Sequence, residues 1–101
     1  MIVFFTNHLG IKTAENQHDA IRAARPLSSA PVESSGWYEF EAQDGQRFFV
    51  HQQWRSGVLI SSGVVVESAS DAMRARFSVS LGDSATKEKI DSAIENWRRE
   101  Q

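Results

Sequence analysis

Two strand-forming segments between Trp37 and Trp54 flank Asp44-Gly45, and this feature most restricts what the chain can fold into. Asp-Gly between such segments is a hairpin signal, because glycine supplies the left-handed backbone that the turn needs. Two registers compete. A two-residue loop of Asp44 and Gly45 pairs Glu39 with Val50 and Glu41 with Phe48, which sets charge against core. A three-residue loop of Gln43, Asp44 and Gly45, with Gly45 left-handed in a bulge, pairs Phe40 with Phe48, Tyr38 with Val50 and Glu41 with Arg47. The second matches like with like and is the predicted register, since a slip by one residue turns every side chain to the opposite face. It gives a core face of Tyr38, Phe40, Ala42, Phe48 and Val50 that continues through Gln52 to Trp54. Its outer face carries Trp37, Glu39, Glu41, Arg47, Phe49 and His51.

On either side of the hairpin the signals are local. Ile2 to Phe5 is apolar on both parities, which suits a strand covered on both faces more than an edge strand. After a loop containing Gly10, Thr13 offers a cap for a helix with Ala14, Gln17, Ala20, Ile21 and Ala24 at spacings of three and four. That helix is expected to stop at Arg25, because the residue before Pro26 is pushed out of the α region. Pro26 to Gly36 has turn-forming composition and no period, so it is predicted to be a long flexible loop.

Val58 to Val66 is rich in β-branched residues and predicts one long strand with a bulge at Gly63, a tight hairpin at Ser61-Ser62-Gly63 being the alternative. Met73 to Leu81 alternates without a miss and predicts a half-exposed strand, with Met73, Ala75, Phe77, Val79 and Leu81 on one face. Arg74, Arg76, Ser78 and Ser80 fall on the other. The first residues of this segment, from Ser70, also suit a single helical turn. Gly82-Asp83-Ser84 then offers a cap for a final helix with Ile90, Ala93, Ile94 and Trp97 on one stripe. Lys87 with Asp91 and Glu95 with Arg99 are spaced for ion pairs along it.

These elements predict a single α+β domain over residues 1–101, built on a mainly antiparallel five-stranded sheet in the order β-α-β-β-β-β-α. Both helices are expected on one face, leaving the other partly bare. With 101 residues and 41% apolar content, such a chain can build one core without a staple. It has no cysteine, which excludes thiol catalysis, Cys-ligated zinc and a disulfide framework. The apolar run at the start is too short for a signal peptide or a membrane span, so a cytoplasmic protein with no membrane partner is expected.

Chemistry-bearing motifs are sparse. His8, His18 and His51 stand in no metal-ligand spacing, and Gly10, Gly36, Gly45, Gly57, Gly63 and Gly82 are isolated, so neither metal nor cofactor is expected. The predicted register places His51 opposite Trp37 and diagonal to Glu39, which supports an enzyme reading with a His–Glu acid–base pair. Arg74 and Arg76 beside Phe49 and Trp37 on one sheet face would suit single-stranded nucleic acid. A formal net charge of −2 argues against that reading.

The leading expectation is a small non-enzymatic protein-binding module, a regulator, inhibitor or immunity-type factor that occludes a larger partner. An anti-defence factor of a phage or mobile element is one such case. Its expected contact residues are Trp37, Arg47, Phe49, His51, Arg74 and Arg76, since aromatic residues and arginine most often carry interface energy. A homodimer through the bare sheet face is the other partner expectation.

Overall fold

In a computed structural model, which describes residues 1–27 and 34–101, the chain begins with two short strands, β1 (Phe4–Thr6) and β2 (Lys12–Ala14). A helix α1 (Gln17–Arg22) and the strands β3 (Arg25–Pro26), β4 (Gly36–Glu41), β5 (Arg47–Arg55) and β6 (Val58–Val66) follow. Two helices, α2 (Ala69–Leu81) and α3 (Lys87–Arg99), close it, joined through a 3-10 turn at Gly82–Ser84. The strands pair antiparallel in the order β1-β2-β6-β5-β4-β3. The α+β class and the antiparallel sheet are as the sequence predicts; among the described residues the sheet has six strands instead of five, and three helices replace two.

The hairpin takes the predicted register, with Tyr38 opposite Val50, Phe40 opposite Phe48 and Glu41 opposite Arg47. The Ala42 N–H donates to the Gln46 carbonyl at 2.9 Å, closing a loop of Gln43, Asp44 and Gly45. Gly45 has φ +87°, the left-handed backbone this turn requires. Phe48 and Val50 are fully buried, and the Phe40 and Phe48 rings stack at 6.1 Å. Burying one such phenylalanine contributes about 1.5–3 kcal/mol.

Sheet and helices form three layers. Phe40, Phe48, Val50 and Val65 pack under Ala20 and Ile21 of α1. On the opposite face Val66 packs with Ile11 and Ala72, joined by Trp37, Phe49 and Ala75. The expectation that the N-terminal and final helices share one face is therefore corrected, since α1 lies on one face and α2 with α3 on the other, and the outer hairpin face is not bare. Phe49 and Val66 are cross-strand partners, and together with Trp37 they form an apolar floor. The small residues Ala72 and Ala75 let α2 approach that floor closely.

The segment predicted as a fifth strand, Met73 to Leu81, lies within α2. Its period-two alternation is overridden by good helix formers, Met, Ala, Arg and Leu, and by a cap the alternation does not reveal. Ser68 accepts from the Asp71 N–H at 3.2 Å, an N-cap, and its hydroxyl donates in turn to the Asp71 carboxylate at 2.8 Å. Asp71 is buried and also accepts the Lys12 N–H at 3.0 Å, so the start of α2 is tied to β2.

The N-terminal third differs as well. Thr13 lies in β2, paired with Phe5 and Val66, and does not cap a helix. The cap is Asn16, whose side chain accepts from the Asp19 N–H at 3.2 Å, and α1 is correspondingly short. Thr13 and Asn16 are both capping residues, but threonine is also a strand former, and pairing with β1 decides its role. Strand β1 is an edge, not a covered strand, and Phe5 is 52% exposed. At the two ends of the loop expected from Pro26 to Gly36, Pro26 pairs with Phe40 in β3 and Gly36 begins β4; positions 28–33 lie outside the described residues.

The final helix presents Ile90 and Ile94 to the interior. Its cap is Thr86, which accepts from the Lys89 N–H at 3.1 Å, and not Ser84. Val58 to Val66 is one strand, as predicted in preference to the tight hairpin. Among the described residues no helix is long and apolar enough to cross a membrane.

Candidate functional site

The six residues expected to form a contact surface lie in three environments. Trp37 and His51, paired across β4 and β5, meet edge to face with ring centroids 5.1 Å apart. Phe49, two residues before His51 on the same face, is half-buried beneath α2. Arg47 is exposed and reaches the Glu39 carboxylate at 3.6 Å. The sheet thus brings Trp37, Arg47, Phe49 and His51 onto one face, as the hairpin register requires, while α2 covers its apolar part.

Arg74 and Arg76 are separated by the helix that carries them. Arg74 is turned inward, its side chain 13% exposed, donating to Asp91 of α3 at 2.5 Å and to the Leu9 carbonyl at 2.6 Å. Its Nε is buried without a partner among the described residues. Asp91 is thereby drawn from the Lys87 pairing that the sequence suggests, whereas Glu95 and Arg99 do pair, at 2.6 Å. Arg76 is exposed. Since these arginines lie on a helix, the basic strand beside stacking aromatics that supported nucleic-acid binding is not formed.

Two surface features emerge that the sequence reading does not isolate. The first is a cleft of about 360 Å3 between β4, α2 and α3. Trp37 of β4, Met73 and Phe77 of α2 and Trp97 of α3 line it, and Arg76 and Ser80 supply its polar groups. Met73, Arg76, Phe77 and Ser80 are related by three, four and seven positions, which puts them on one side of α2. That spacing was the legible signal, masked by the competing alternation.

The second feature is the far end of the β5–β6 hairpin. Strand β4 pairs with β5 only as far as Gln52, and β2 meets β6 only at Val66, so the ribbon beyond them is two-stranded. Ser56 and Gly57 at its tip have φ +52° and +78°, the signs of a type I′ turn. Val58, Leu59 and Ile60 are 62%, 42% and 54% exposed. Inward of them, Trp54 donates to Gln52 at 3.2 Å, and Gln52, itself buried, reaches Ser62 at 3.4 Å. Register shifts in the β5–β6 ladder leave Ile60 without an opposite residue and oppose Gly63 and Val64 to His51. Such bulges twist an edge and hinder continuous pairing.

A further cleft of about 410 Å3, between the residues Met1 to Val3 ahead of β1, α1 and the hairpin turn, has Glu15, Asp19 and Asp44 on its lining. A third hollow runs along α2 and α3 beside Arg74 and Asp91. His51 lines none of these three clefts. Among the described residues no three His, Cys, Asp or Glu side chains are placed to hold a metal ion. No family model, curated protein or solved structure matches the chain.

Proposed function

We propose that this protein is a non-enzymatic binding module that regulates or inhibits a larger protein by occluding part of its surface. The observation that carries this reading is the ribbon tip, where Val58, Leu59 and Ile60 are consecutive, apolar and exposed. From Ser56 to Val66 the chain contains no charged residue. An apolar edge of this length is ordinarily guarded by lysine, glutamate or proline, whereas here only bulges interrupt it. Exposed contiguous apolar side chains mark contact sites. The partner this tip fits presents an uncharged apolar hollow, into which Leu59 and Ile60 insert.

The test is capture from a native-host extract by the wild-type chain and by a Leu59→Lys, Ile60→Lys variant of unchanged melting temperature. A protein retained by the first and lost by the second is the expected result. Equal retention of the same proteins by both overturns the reading.

A further inference from the structure

The cleft lined by Trp37 and Trp97 has a composition that bears on what it could hold. Its apolar lining consists of two indole rings, a phenyl ring, a thioether and Ala72, surfaces that hold a flat aromatic body by stacking and sulfur contacts. Arg76 is the only charged residue on the lining, and no carboxylate joins it there. Arg22, Arg25, Arg47, Arg74 and Arg99 each face a carboxylate, whereas Arg76, like Arg55 and Arg98, has no ion-pair partner among the described residues. At about 360 Å3 the cleft is within the size range of small-ligand sites. We infer that it binds a small aromatic carboxylate, the ring between Trp37, Phe77 and Trp97 and the carboxylate on the Arg76 guanidinium.

The electrostatics favour an anion over a neutral ring of the same shape. The Arg76 guanidinium is a fixed positive charge with no carboxylate on the lining, and a planar carboxylate can accept two of its N–H groups side by side. Ser80, three to four positions from Arg76 and Phe77, places a hydroxyl donor on the same rim. The site lies on α2 and α3, away from the β5–β6 tip, and stands whether or not the tip binds a protein.

The three tryptophans provide both reporter and control, because Trp37 and Trp97 line the cleft whereas Trp54 is on the ribbon. With the full-length 15N-labelled chain, titration of indole-3-acetate is followed through the indole N–H signals. The expected result is saturable movement of the Trp37 and Trp97 signals with Trp54 unmoved. Indole-3-acetamide, isosteric but neutral, is expected to bind about ten-fold or more weakly, the loss of one charge-assisted hydrogen bond. Arg76→Gln, at an exposed position, is expected to weaken indole-3-acetate by a similar factor and leave the amide unaffected. No saturable shift at millimolar ligand, or equal binding of acid and amide by the wild-type chain, overturns the proposal. Movement of all three tryptophan signals together overturns it too, since that is non-specific association.

Discussion

Arg74 on α2 and Asp91 on α3 are joined at 2.5 Å, an ion pair that ties the two C-terminal helices to each other. The same guanidinium donates to the Leu9 carbonyl at 2.6 Å, so one side chain clasps α2, α3 and the loop between β1 and β2. Asp91 is 54% exposed, which softens the Coulombic part of the bond, while the Leu9 contact is held on the inner side.

Replacing Arg74 with methionine keeps the apolar stem and removes both bonds. The expected cost is about 1–3 kcal/mol, the range for losing charge-assisted hydrogen bonds and leaving an acceptor unpaired. Asp91→Asn is expected to cost under about 1 kcal/mol, because an exposed partner contributes little. Urea denaturation of both variants and their double mutant measures the coupling; a loss for Arg74→Met no larger than for Asp91→Asn contradicts this assignment.

Asp71 accepts from Lys12 and Ser68 at once, so Asp71→Ala removes the carboxylate that holds the Ser68 capping hydroxyl and, with it, an anchor of β2, while the backbone N–H at position 71 still donates to Ser68. We expect about 1–3 kcal/mol of destabilisation. Hydrogen exchange distinguishes the two roles: the Lys12 amide loses protection in Asp71→Ala and keeps it in Ser68→Ala.

The two hairpin turns respond in opposite directions. Gly45→Ala introduces a Cβ at φ +87° and is expected to cost about 1–2 kcal/mol. At Ser56, where a residue with a side chain already sits at φ +52°, asparagine tolerates the left-handed backbone better and is expected to add about 0.5 kcal/mol. Thermal melts of both variants check the signs.

Phe49 and Ile60 separate core from contact surface. Phe49 packs under α2, so Phe49→Ala is expected to cost about 2–4 kcal/mol. Ile60, 54% exposed, is expected to tolerate lysine within about 0.5 kcal/mol. A large loss of stability in Ile60→Lys would show that the ribbon tip is covered in solution.

Where interactions are between near neighbours, the sequence is explicit. Asp44-Gly45 sets a turn by its own backbone chemistry, and matching Phe40 to Phe48 then sets the register without reference to anything else in the chain. The stripe Ile90, Ile94 is legible for the same reason, since its period belongs to one helix. The alternation from Met73 to Leu81 misleads because its apolar residues serve different surroundings: Met73 and Phe77 line the cleft, Ala75 meets the sheet, and Val79 is 82% exposed. A period computed along the chain cannot separate those destinations.

The candidate site divides in the same way. The sequence alone determined that Trp37, Arg47, Phe49 and His51 share a sheet face, because cross-strand neighbours follow from register. Only the tertiary structure decided that α2 would cover that face, that Arg74 would be spent on Asp91 and Leu9, and that Arg76 would remain beside Trp37 and Trp97. Arg74 and Leu9 are 65 positions apart. Their bond depends on where whole elements dock, and docking is chosen by the fit of complete apolar faces, a quantity that no local run of residues contains.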